Sequence, residues 1–252
     1  MNLAIFGGTF DPIHNAHLDV ARAARRECFL DRILFIPAGQ PPHKPGRCKA
    51  PYEHRFEMVK LACPAHPSFE ASRLEAPGQD RGLPIYAIQT IRRVASHLTT
   101  HDRLFFLIGT DAFRELTTWY QWRHIVHDVE FIVVNRPGFQ MDDSGVPPGA
   151  RVHWLRSIHS PISSTEVRRR LRNGESLHGW LPGGVAHYIG KHQLYRPPQP
   201  SKRTAKRATR TRRPRRGSGV GGRGSGPQRQ RAGPRRVVRR RRPARRSRRA
   251  RR

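Results

Sequence analysis

The chain has 252 residues and a formal charge of +31, with 49 Lys and Arg set against 18 Asp and Glu. Of these, 24 basic residues and no acidic ones lie in residues 201–252, so the first 200 residues carry only +7. This division excludes a nucleic-acid-binding fold that runs the whole chain, and it leaves one domain of about 195 residues plus an appendage.

Taken in chain order, residues 2–6 read as a buried strand entering a turn at Gly7-Gly8. A helix over 18–28 follows, with apolar positions at 18, 21, 24 and 28, and then a strand over 32–37 that Pro37 ends. A helix over 50–63 rests on Tyr52, Phe56, Val59 and Leu61 and closes at Pro64. The pattern then predicts a strand over 68–74, a helix over 86–98 and an all-apolar central strand over 103–109. Short helices from Asp111 and near 122–127 precede a strand over 129–134, and 137–149 is a Pro/Gly-rich loop. A last strand falls at 151–155, with helices over 164–174 and 181–195 behind it. Strand–helix alternation of this kind predicts an α/β fold with a central parallel sheet. Continuous apolar runs such as LFFLI predict strands covered on both faces.

Pro197, Pro198 and Pro200 mark a boundary, giving a domain over 1–196 and an Arg-rich tail over 197–252. The tail has no aromatic residue and dense like charge, so burial cannot repay its ordering entropy and disorder is expected. It will bind polyanions by counterion release, steeply weakened by salt, and without aromatic interleaving that contact is non-specific. No apolar stretch reaches the roughly 18 residues of a membrane span, and the N-terminus lacks a secretory pattern. Cys28, Cys48 and Cys63 are odd in number and share no CxxC spacing, which fits a reduced cytoplasmic protein rather than a disulfide framework.

The most informative stretch is FGGTFDPIHNAH, residues 6–17. It leads from a strand through Gly7 and Gly8 to a helix starting near His17, placing backbone amides and a helix N-terminus at the C-terminal edge of the sheet. Neither GxGxxG nor GxxxxGK[ST] is present, which excludes the dinucleotide and P-loop signatures. His14 and His17, three apart, form a pair suited to phosphoryl oxygens and to the charge that develops in phosphoryl transfer. No HExxH or His–Cys arrangement suggests a metal site.

This stretch resembles the HxGH-type nucleotidyltransferases, and among them the bacterial nicotinate-nucleotide adenylyltransferases, whose opening reads GGTFDPxHxGH. Ala16 replaces the usual glycine. Gln40-Pro41-Pro42-His43-Lys44-Pro45 resembles the family's PPHK segment, and Arg81 with residues 85–90 its R…SYTxxTL, with Ile85 and Ala87 in place of Ser and Thr. Ile108-Gly109-Thr110-Asp111, Thr118-Trp119-Tyr120, Asn135-Arg136-Pro137-Gly138 and the run from Ile162 to Arg168 match further patches in order. The resemblance covers residues 1–195 and implies a Rossmann-like nucleotidyltransferase fold. It further implies transfer of AMP from ATP to nicotinate mononucleotide in NAD synthesis, with release of pyrophosphate.

Within that resemblance, His14 and His17 are expected at the triphosphate, His17 at the α-phosphoryl transition state. Gly7, Gly8 and Thr9 position phosphate at the first turn. Ser163, Ser164 and Thr165 supply hydroxyls and a helix cap for β- and γ-phosphates, and Arg168 meets the departing pyrophosphate. Lys44 and Arg136 are further phosphate ligands. Trp119 is the platform for the pyridine ring, with Tyr120 and Tyr86 beside it, and Asp111 accepts ribose hydroxyls. Mg²⁺ comes with ATP, held by phosphates and water rather than by a carboxylate cage. The alternatives are preference for nicotinamide mononucleotide, pantetheine-phosphate adenylyl transfer, or nucleic-acid binding through the tail.

Overall fold

The computed structural model describes residues 1–39, 48–78, 85–135, 145–156 and 160–196. Lys44, Arg136, most of the 137–149 loop and the tail from 197 lie outside these residues. The chain divides into units Met1–Gln199 and Pro200–Arg252, and every described residue belongs to the first.

Six strands make one sheet: β1 Asn2–Gly8, β2 Arg32–Pro37, β3 Phe69–Ala71, β4 Arg103–Gly109, β5 Glu130–Val134 and β6 Arg151–Leu155. Their order is β3-β2-β1-β4-β5-β6, and every pair is parallel. The helices are α1 Asn15–Glu27, α2 Tyr52–Ala62, α3 Ala87–Ala95, α4 Thr110–Arg114, α5 Trp122–Asp128, α6 Ser164–Asn173 and α7 Gly183–Lys191. This is the parallel α/β architecture that the alternation predicts, in the Rossmann-like form that the resemblance implies.

Strand side chains alternate between two cores, as a period of two requires. Ala4, Ile33, Phe35, Phe105 and Leu107 join residues of α1, α2, α6 and α7 on one face. Leu3, Ile5, Ile36, Leu104, Phe106 and Ile108 join residues of α3, α4 and α5 on the other. All five residues of β5 are buried, as expected of a strand covered twice.

Several boundaries differ from the sequence pattern, four of them with a plain local cause. Gly7 and Gly8 are strand residues, paired with Ile36 and Pro37, rather than a turn. α1 begins at Asn15, ahead of its apolar period, because His14 caps it in extended conformation. β3 stops at Ala71, where the Ser72 hydroxyl accepts from Leu74 N–H and competes with the ladder. α7 runs only over Gly183–Lys191, since Gln193 and Tyr195 adopt left-handed φ of 51° and 66°.

Candidate active site

In an open parallel sheet the crevice lies at the carboxyl ends of the strands, where the order reverses. Here that point is between β1 and β4. It opens into a cleft of about 890 Å³. One wall holds Gly7, Gly8, Thr9, His14, His17, Ser163, Ser164, Thr165 and Arg168, and the other Tyr86, Asp111, Trp119 and Tyr120. Every site residue read from the sequence and lying among the described residues therefore meets in one cavity.

The glycines differ in their local constraint. A Cβ on Gly8 would stand 3.1 Å from the Phe10 ring, whereas on Gly7 it would meet only ordinary contact at 3.9 Å. Phe10 itself sits at φ 46°, a left-handed turn that folds its buried ring over Gly8.

His14 and His17 are the N-cap and third residue of α1. Their rings stack with centroids 3.7 Å apart. The His14 backbone N–H donates to His17 Nδ1 at 3.2 Å, a capping-box contact that closes the helix start. With Nδ1 an acceptor, the proton of the neutral ring resides on Nε2. The edges of Phe6 and Phe10, at 6.0 and 5.1 Å, fix the His17 ring. His14 is 4% exposed.

At α6 the Ser-rich start does three separate jobs. Ser163 Oγ accepts from Glu166 N–H at 3.2 Å as the N-cap. The Ser164 hydroxyl donates to Pro12 O at 2.9 Å, and Thr165 Oγ1 accepts from Arg168 Nη2 at 3.2 Å. The amides of Ser164 and Thr165 belong to the first turn, whose donors a helix leaves without intrahelical partners. Arg168 also donates to Asp11 O at 2.5 Å, so its guanidinium is partly committed to the loop between β1 and α1.

Sequence reasoning missed what holds that loop. Arg55 on α2 is 1% exposed and donates to Thr9 O at 2.8 Å, Gly39 O at 3.2 Å and Ala50 O at 3.3 Å. Asp11 is buried, and its carboxylate accepts from Lys49 and Ala50 N–H. The carbonyls of Thr9, Asp11 and Pro12 are thus each taken by a donor from elsewhere in the chain. The one available signal was an arginine inside an otherwise apolar helical stripe.

On the opposite wall, Trp119 packs edge-on to Phe106 with centroids 6.2 Å apart, and Tyr86 lies 4.9 Å from Tyr120. Tyr120 is 53% exposed, an open aromatic at the cleft mouth. Asp111 stands in the first turn of α4, just beyond β4. Among the described residues no group of three or more His, Cys, Asp or Glu could hold a metal ion. No helix among them is long and apolar enough to cross a membrane. Cys28, Cys48 and Cys63 are free thiols.

Glu75 also lines the cleft and had no place in the sequence reading. Burial raises its carboxyl to about 7, against the opposing effects of the Thr90 hydroxyl, which donates to it at 2.8 Å, and of Arg93. Between the usual value near 4.5 and about 7, the folded chain holds a proton that the unfolded chain has released. Stability therefore falls as pH rises through that window and stays lowered above it. Glu75→Gln keeps an acceptor for Thr90 and removes the penalty. In urea titrations it is expected to exceed the parent by roughly 1–3 kcal/mol at pH 8 and to match it at pH 4.

Comparison with known proteins follows the same outline. Residues 5–170 match the family described as cytidylyltransferase-like. A protein of Solibacter usitatus named "probable nicotinate-nucleotide adenylyltransferase" is 48% identical over 195 residues, covering 77% of this chain and 100% of its own. A Thermus thermophilus protein of the same name is 42% identical over 196 residues, 78% of this chain and 100% of its own. Among solved structures, Plasmodium falciparum nicotinic acid mononucleotide adenylyltransferase complexed with NaAD has a TM-score of 0.64 at 20% identity, covering 77% of this chain and 97% of its own. That last likeness is one of fold.

Proposed function

Since the chain belongs to the nicotinate-nucleotide adenylyltransferases of the cytidylyltransferase-like family, we propose that it transfers AMP from ATP to nicotinate mononucleotide. The products are nicotinate adenine dinucleotide and pyrophosphate, a step of NAD biosynthesis. The observation that carries this reading is the meeting of two helix N-termini, α1 with its His14–His17 pair and α6 with its Ser-rich cap, across one cleft whose far wall is aromatic.

The acceptor phosphate is already a nucleophile at neutral pH. Its oxygen forms a bond to the α-phosphorus of ATP while the bond from that phosphorus to the α–β bridging oxygen breaks. Catalysis is then alignment and charge compensation rather than proton abstraction. His17 Nε2 and His14 serve the α-phosphoryl oxygens, with Thr9 and the amides of Gly7 and Gly8 beside them. The first-turn amides of α6, with Thr165 and Arg168, take the departing pyrophosphate. Ser163 contributes as the cap, and Ser164 by fastening α6 to Pro12. Trp119, Tyr86 and Tyr120 hold the pyridine ring, and Asp111 the ribose. Lys44 and Arg136 complete the phosphate ligands. Mg²⁺ carried with ATP would supply charge compensation on the triphosphate. The three free thiols favour a reducing, cytoplasmic setting.

The tail adds non-specific contact with nucleic acid, supported by its 24 Lys and Arg without a counter-charge. One experiment addresses both readings. The full chain and a version ending at Arg196 are given ATP with nicotinate mononucleotide, nicotinamide mononucleotide or phosphopantetheine, and both are titrated with DNA at 0.05 and 0.2 M salt. The expected result is equal adenylyl transfer by both, fastest with nicotinate mononucleotide. DNA binding is expected only in the full chain, falling by at least 10³-fold between the two salts. Transfer to phosphopantetheine alone would overturn the assignment of the acceptor.

A further inference from the structure

Tyr195 lies outside the cleft lining and has no part in the roles assigned above, yet it is bonded to the loop that builds the cleft. Its hydroxyl donates to Asp11 Oδ1 at 2.7 Å across 184 positions of sequence. The other donors to that carboxylate are the backbone N–H groups of Lys49 at 2.6 Å and Ala50 at 3.1 Å. Arg168 Nη1 stands 3.9 Å from Oδ2 while donating to the Asp11 carbonyl. Asp11 is 2% exposed, so a carboxylate lifted out of water depends on these donors.

The backbone after α7 bends to deliver this contact. Leu194 N–H returns to Ile189 O at 3.1 Å, and Gln193 and Tyr195 both take left-handed φ. A left-handed φ is disfavoured for a residue with a Cβ and persists where its surroundings hold it. Burial, and then the charge of Asp11, push the Tyr195 phenol far above its usual range, so it remains a donor at any working pH. Asp11 lies three residues before His14. The position of its carboxylate sets where the loop hands over to α1.

We propose that Tyr195 is a positioning residue for adenylyl transfer, acting through Asp11 to hold residues 9–13, and with them the His14–His17 pair, in register with the phosphates. This rests on the function proposed above. It makes the end of the folded domain a working part of the phosphate site.

The test uses the full chain carrying Tyr195→Phe, which removes one hydroxyl, assayed well below its unfolding midpoint. Loss of a hydrogen bond to a charged group is expected to lower kcat about tenfold. The KM for ATP and for the mononucleotide should stay within about twofold, the pattern of an interaction felt in the transition state. In an Asp11→Asn background the same substitution should change kcat by less than about twofold, since the two then act as one unit. An unchanged kcat in Tyr195→Phe, or an equal factor in both backgrounds, would overturn the proposal. Amide exchange gives a readout free of the acceptor's identity: residues 9–14 should exchange about tenfold faster in Tyr195→Phe while the α3 amides stay as they were. Unaltered exchange at 9–14 would overturn it equally. If the parent enzyme makes no dinucleotide while the exchange result holds, the functional reading fails and the clasp stands.

Discussion

His17→Ala is expected to lower kcat for adenylyl transfer by about 10²–10³-fold, the scale for removing one pre-aligned donor at a developing oxyanion. The KM for ATP should move far less. Alanine also deletes Nδ1, the acceptor for the His14 N–H, so part of any loss comes from fraying at the start of α1. His17→Gln separates the two contributions. Glutamine at the third helical position reaches back to the N-cap amide, as in a capping box, and restores that bond without an imidazole. The glutamine variant should match the parent's urea midpoint while remaining as inactive as the alanine one. Recovery of most of the activity in His17→Gln would show that the ring acts only as a cap.

The second large effect concerns stability. Arg55→Met preserves length and apolar contact but strands the carbonyls of Thr9, Gly39 and Ala50 in a buried place. Each buried carbonyl left without its donor costs about 1–3 kcal/mol, so the three together cost about 3 kcal/mol or more. For a domain of this size that corresponds to a fall in Tm of roughly 10 °C, read by calorimetry. Arg55→Lys retains the charge but presents a point donor rather than a planar fork, and should fall between the two. A Tm within 2 °C of the parent in Arg55→Met would mean that the loop carbonyls find water instead.

The strands and helices were legible because their apolar periods are strong. Residues 32–37 and 103–109 coincide with β2 and β4, since each is an apolar run opened by Arg and ended by Pro or Gly. Gathering His14 and Ser163 into one cleft was legible too, because each opens a helix beyond a strand, while Trp119 joined them through the resemblance alone. The supports were not. Arg55, Asp11, Glu75 and Tyr195 act chiefly through contacts that span 15 to 184 positions, and no local period reports such a contact. The helix-cap role of His14 was hidden for a related reason. Histidine is a rare N-cap, and its own partner, His17, had been read for chemistry alone.

The two cores on either side of the sheet bear on how this site can vary. His14, His17 and Ser163 stand on or beside helices seated on one core, while Tyr86, Asp111 and Trp119 belong to elements seated on the other. The sheet is a partition between them, and each layer packs a core of its own. On the proposed roles, the triphosphate residues stand with one layer and the acceptor residues with the other. Ile85 and Ala87, the departures from the family pattern nearest the acceptor, both stand with the acceptor residues in the cleft lining. On the proposed function, a change of acceptor can therefore be drafted onto α3 and α4 while α1 and α6 keep their own packing.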